Sequence, residues 1–174
     1  AAIIFREWYQ TGIPAQFLVA PYSMDARLIE TLGNEVVEGV FQGSPVHPVG
    51  NPAYALFDAA YQEKMGQPGS SNRFTPDCWD MTTVLALGIQ AAAVGADNVA
   101  IAQAMYGVAN APGVVVSSYA EGKDAMESGE TDIKYAGAGS NLNLNDQGVD
   151  TASILLINQI QGGELVMLRE VSDA

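Results

Sequence analysis

The 174-residue sequence is short of the residues that most often carry chemistry. It has one cysteine, Cys78, and one histidine, His47. A lone cysteine cannot close a disulfide within the chain, and a Cys/His zinc centre needs several more ligands. Basic residues are scarce too: seven Lys and Arg stand against 20 Asp and Glu, for a formal net charge of −13. Such a surface repels phosphate, so nucleic acid and anionic lipid are poor partners. No apolar run reaches the ~18 residues of a membrane helix. The longest candidate, "TTVLALGIQAAAVGA", is shorter and sits among polar residues. No Gly-x-Ser-x-Gly nucleophile elbow is present. The opening "AAIIFREWYQTGI" lacks an initiator methionine, a basic leader and a small-residue cleavage site. It reads as the middle of an amphipathic helix, with Ile3, Ile4 and Trp8 at helical spacing. The expectation is a fragment with sequence missing upstream.

What remains is ample for a core. Hydrophobic residues make up 48% and charged residues 16%, on a length close to the ~150 residues of one domain. After the first helix, Phe17, Leu18 and Val19 read as a short buried strand. "SMDARLIETLG" reads as a helix capped by Ser23 or Asp25 and closed by Gly33. "VVEGVFQGS" reads as a second strand bounded by Gly43. Strand, helix and strand within about 30 residues is the rhythm of a parallel α/β layer. "PVHPVGNP" is an extended connector. An amphipathic helix follows, with Tyr54, Phe57, Tyr61 and Met65 on one face. Next come a long helix around Trp79 with Asp77 as its cap, a helix opened by Asp97 or Asn98, and one or two helical turns in "AEGKDAMESG". "TASILLINQI" and "ELVMLREV", separated by "QGG", have a hairpin signature. The run Ile154–Ile157 suits a strand buried on both faces.

The chemical motifs fail one by one. Asn141, Asn143 and Asn145 alternate like early calcium ligands, but the sixth and twelfth positions of that loop are Asp146 and Ala152 instead of Gly and Glu. "GAGS" lacks the third glycine and the following helix of a dinucleotide loop. His47 lies between residues of a proline-rich connector. Cys78 reads as a small buried group more readily than as an activated thiol. Asp77 and Asp80 share a helical turn and suit a cap and a hydrogen bonder better than a general acid/base pair. Trp79 reads as core, whereas Tyr22 and Phe74, both beside loops, divide evenly between core and cleft. No catalytic residue, metal ligand or cofactor is expected.

The ordered set "EWYQTGIPAQFLVA", "LIETLGNEVVEGVF", "YALFDAAYQEKMGQP", "CWDMTTVLALGIQAA" and "YAGAGSNLNLNDQGVD" resembles the second half of the type I periplasmic binding proteins of the branched-chain amino-acid class. These are the extracytoplasmic receptors of ABC importers. The sequence departs from the family pattern at Leu144, where an aromatic is frequent, and at Trp79, where tyrosine is commoner. The resemblance implies an α/β fold of the periplasmic-binding-protein-like type I kind: a partial two-lobe fold with parallel sheets and flanking helices. Residues 1–46 would belong to the second lobe, 47–152 to the first, and 153–174 to a hinge crossing and the closing strands of the second. The segment 135–150 would be strand and turn leading into that hinge, with no need to touch a ligand. Ligand-facing positions carried over are Tyr22, Ser23 and Asp25 from the loop after "QFLV", and Phe74 as an apolar wall. Tyr22 stands where amino-acid binders of this class can carry an acid for the ligand's ammonium, which argues against an ordinary α-amino acid. The implied partners are a small polar ligand, the membrane subunits of an ABC importer and the missing N-terminal portion of the same protein, in the periplasm or another extracytoplasmic space. A ligand-sensing domain of a receptor or regulator with the same fold is the alternative. An α/β enzyme is a third reading, without a surviving motif.

Overall fold

The computed structural model describes residues 2–172. Ala1, Asp173 and Ala174, the ends of the expected first helix and closing strand, lie outside the described residues. The chain divides into two compact units. One holds the residues up to Val46 together with Ile154–Ser172; the other is His47–Ser153.

The first unit opens with α1 (Ala2–Thr11), then β1 (Leu18–Val19), a 3-10 turn (Pro21–Ser23), α2 (Ala26–Leu32), α3 (Asn34–Val37) and β2 (Phe41–Val46). It is completed by β5 (Ile154–Gln161) and β6 (Glu164–Ser172). The sheet order is β1-β2-β5-β6, with β1 parallel to β2 and the remaining pairs antiparallel. Helix packing on this sheet buries Phe5, Met24, Ile29, Leu32, Val37, Val40 and Ile160. Phe17 joins the core edge-on to Trp8, with ring centroids 4.7 Å apart.

Two expectations for this unit change. Val36 and Val37 are helical, in α3, because Gly33 and Gly39 at φ 83° and 80° turn the backbone on either side and aim Val37 into the core. The strand therefore starts at Phe41, and it continues through Gly43 because β5 pairs with it as far as Val46. Ile154–Ile157 is a strand but is not buried on both faces: Leu155 is 44% exposed, while Asn158 and Ile160, further along the alternation, point into the core. The hairpin turns on Gly162 and Gly163, both at positive φ, as a two-residue primed turn requires.

The second unit contains α4 (Pro52–Met65), α5 (Thr75–Ala91), α6 (Asn98–Ala109), β3 (Val114–Val116), α7 (Tyr119–Glu127) and β4 (Ile133–Tyr135). Asn51 caps α4 through Tyr54 N–H, Asp97 caps α6 and Ser118 caps α7. β3 and β4 pair in parallel, bridged by α7, and neither was expected as a strand. α7 runs nine residues, longer than the expected turn or two. α5 begins at Thr75, with Phe74 at the cap position and Pro76 in the first turn, so Asp77 sits inside the helix and is not its cap. Val84, Leu87, Val108, Val116, Ile133 and Tyr135 form the core. Tyr54 and Phe57 are buried in a satellite cluster, while Met65 at the end of the same helix is exposed. Trp79 is not core: it meets Phe57 edge-on at 5.9 Å and leaves 36% of its surface exposed. Cys78 is exposed as well.

Candidate ligand-binding site

The strand β1 ends where Pro21 starts the 3-10 turn, with Ser23 N–H donating to the Ala20 carbonyl at 2.9 Å. Proline pre-sets φ for that first position. Tyr22, at the crest of the turn, is 77% exposed. Asp25 then caps α2, its carboxylate accepting from Leu28 N–H at 2.7 Å. Tyr22, Ser23 and Asp25 line one open pocket of about 400 Å³ with Arg27, Leu28 and Thr31. Three of the four expected ligand residues are thus brought together within the first unit. Asp25 carries a capping duty in addition.

Phe74, the fourth, belongs to the second unit, is 40% exposed, and has its N–H held by Asn72 Oδ1 at 3.1 Å. The carbonyl of the preceding Arg73 lies 2.6 Å from His47 Nε2, and the Gly139 carbonyl lies 3.0 Å from His47 Nδ1. The single histidine therefore ties the connector to two loops of its own unit.

The second unit has a larger cavity of about 620 Å³ beside α5. Met81, Leu85, Met105, Leu142 and Leu144 supply an apolar lining, with Asp77, Asp80 and Asp150 at its polar margin. Asp80 accepts hydrogen bonds from the segment 135–150, and Asp150 lies within it. Asp80 accepts the Tyr135 hydroxyl at 2.9 Å and the Ala138 and Gly139 N–H groups at 2.7 Å each. A Cβ at Gly137 would collide with the Asp80 carboxylate and one at Gly139 with the Asp77 carboxylate, so "GAG" lets this backbone approach α5 closely. Burial pushes the Asp80 carboxyl up, and its hydrogen bonds pull it back only in part. Burial, and then the adjoining Asp80 charge, pushes the Tyr135 phenol up strongly. Burial also raises Asp77, opposed by His47 at 3.9 Å and reinforced by Asp150.

Asp150 goes the other way. Burial alone would raise it, but the Ser140 and Ser153 hydroxyls and the Ala152 and Asn143 N–H groups outweigh that and hold it below the usual carboxylate range. Lys134 donates to the Asn141 and Leu142 carbonyls at 2.7 and 2.8 Å, and burial lowers its ammonium below the ordinary lysine value, with Asp150 opposing. Beyond Tyr135, which ends β4, the segment to 150 is consequently a loop pinned by side chains and not the expected strand. Its alternating "SNLNLN" makes only the isolated bridge Leu144↔Asp150, and Leu142 takes φ 46°. Two of the carboxylates beside this cavity, Asp80 and Asp150, thus organise the backbone around them. The sequence signal for it was the glycine pair beside a helical aspartate. The role of Asp150 carried no such signal.

The family model described as periplasmic binding protein matches residues 2–129. The chain belongs to that family. No curated protein matches it. Among solved structures, a leucine binding protein LivK from Thermotoga maritima is similar over 99% of this chain, at 21% identity and a TM-score of 0.57. A putative branched-chain amino acid ABC transporter protein from Rhodospirillum rubrum (15% identity, 96% of this chain, TM-score 0.47) and a branched chain amino acid ABC transporter protein from Thermus thermophilus with bound valine (18%, 99%, 0.44) also match. The chain spans 41%, 41% and 43% of the length of those three proteins. The α/β fold of a periplasmic binding protein, with parallel strand pairs and flanking helices, is thereby shown for this chain. Among the described residues no helix is long and apolar enough to cross a membrane.

Proposed function

We propose that this chain is part of an extracytoplasmic solute-binding protein that captures a small polar molecule, an amino acid or a relative of one, for an ABC importer. The observation that carries the reading is the Tyr22 turn, which lifts a large aromatic out of the core beside a pocket with polar walls. Exposed aromatics at strand-end loops are common ligand contacts in α/β layers. The structurally similar leucine binding protein favours a ligand of that class. The protein does no covalent chemistry in this reading. Residues 1–46 and 153–174 are assigned to the second lobe of the family fold and 47–152 to the first.

Further sequence of the same protein completes that fold. Two observations support this: Met81, Leu85 and Ile89 leave an apolar ridge of α5 exposed, and β3–β4 is a parallel sheet of only two short strands. Parallel sheets are ordinarily larger and covered on both faces. Calorimetric titration with leucine and valine, repeated on Tyr22→Ala and separately on Phe74→Ala, tests the reading. Tyr22→Ala is expected to weaken binding at least tenfold while the unfolding midpoint stays level. Equal affinity in the variant removes Tyr22 from the site.

A further inference from the structure

Beneath the Tyr22 turn lies a residue that a sheet core does not ordinarily select. Gln42 occupies the second position of β2, opposite Val19 of β1 on one side and Asn158 of β5 on the other. It is 1% exposed. Its Nε2 donates to the Met24 carbonyl at 2.6 Å and reaches the Pro21 carbonyl at 3.5 Å. Those two carbonyls bracket the turn that carries Tyr22 and Ser23. Its Oε1 is buried and has no hydrogen-bond partner among the described residues.

A buried amide is unfavourable unless both of its ends are satisfied, and an apolar residue of like volume is then the more stable choice. Here one end is satisfied and the other is not, so the side chain is retained against the interest of the core. The satisfied end grips both flanks of one short turn, which is closed by Ser23 N–H donating to the Ala20 carbonyl. Met24, whose carbonyl is gripped more tightly, is itself fully buried, so the anchor point is rigid. Residues kept at a cost to stability collect at functional sites.

We propose that Gln42 is a positioning residue: its amide tethers the Pro21–Met24 turn from below and holds Tyr22 and Ser23 in the conformation that meets the ligand, at the expense of core stability. This rests on the assignment of the Tyr22 turn to ligand binding.

The test is Gln42→Met, which keeps the volume and removes the donor, with Gln42→Leu as a second variant. Amide hydrogen exchange at Ser23 and Met24 is read beside the urea unfolding midpoint of the whole chain. The expected result is exchange faster by on the order of tenfold, the equivalent of one lost hydrogen bond, with a midpoint that stays level or rises. A residue with a merely structural role would not separate the two readouts. Unchanged exchange overturns the proposal, as does faster exchange that only tracks a fallen midpoint. If neither variant folds, the amide belongs to the stability of the core and the proposal also fails. Neither readout involves a ligand. A chain that binds neither leucine nor valine, yet loosens at Ser23 and Met24 in Gln42→Met, therefore sinks the functional reading and leaves the tether standing. If the parent chain binds leucine and Gln42→Met binds it equally well, the positioning role is refuted.

Discussion

Replacing Asp80 tests the organisation of the second unit most directly. Its carboxylate is 3% exposed and receives three donors: the Tyr135 hydroxyl and Ala138 N–H on Oδ1, and Gly139 N–H on Oδ2. In Asp80→Asn one oxygen becomes an NH₂ group. If the amide oxygen keeps the Oδ1 place, the NH₂ faces Gly139 N–H, donor against donor, at the former bonding distance of 2.7 Å. One buried donor left unpaired costs about 1–3 kcal/mol. The two surviving bonds weaken as well, because a neutral acceptor holds a donor roughly half as strongly as a charged one. Relief of the burial penalty that raises the Asp80 carboxyl offsets part of this. The net expectation for Asn is a loss of about 2–3 kcal/mol. Asp80→Ala strands all three donors and opens a void, so its loss should be about 4 kcal/mol or more. Urea denaturation followed by far-UV circular dichroism measures both. Asp77→Asn is the control, because that side chain is half-exposed and its approach to His47 is 3.9 Å, beyond hydrogen-bond distance. An Asp80→Asn variant within about 0.5 kcal/mol of the parent chain, the range of ordinary surface substitutions, would refute the reasoning.

The other predictions follow from the same loop. Gly139→Ala forces a methyl against the Asp77 and Asp80 carboxylates and is expected to destabilise by about 1–3 kcal/mol, measurable by thermal unfolding. Asp150 is held below the usual carboxylate range, so it contributes stability above the unfolded value of about 4 and loses that contribution as pH falls through the lower folded value. Asp150→Asn should therefore be less stable than the parent at neutral pH, with the gap closing as pH falls below the unfolded value of about 4; a gap that does not change with pH counts against the assignment. Asp80 and Asp77 have the opposite sign, since raised folded values favour the protonated chain and their contribution falls away as pH rises.

The elements legible in the sequence were those whose signals are local. α4 shows its apolar face, α6 its cap, and the β5–β6 hairpin its glycine pair, all within a few residues. β3 and β4 escaped because each is three residues long and their parallel pairing joins Val114 to Ile133 across an intervening helix. The paired valines of α3 misled because β-branching favours strands, and two flanking glycines at positive φ overrode that preference. The site divides in the same way. The Tyr22 loop was found from its place after a strand and from the family order. Asp80 was recognised as a hydrogen bonder but its partners, 55 to 59 residues away, were not. Gln42 was passed over because nothing in "VFQGS" marks a glutamine as buried; the fold alone puts it under the turn.

β6 has a practical consequence. It is the outer strand of the sheet and all nine of its residues are exposed, Leu165, Val166, Met167, Leu168 and Val171 among them. A long apolar border of that kind is a template on which a neighbouring extended chain can dock and grow. The register shift opposite Ile157–Asn158 breaks the border into two shorter stretches, and Arg169 and Glu170 place charge just beyond the break. Restoring a regular register there, or replacing Arg169 and Glu170 with apolar residues, should make concentrated samples of this chain more prone to fibril growth.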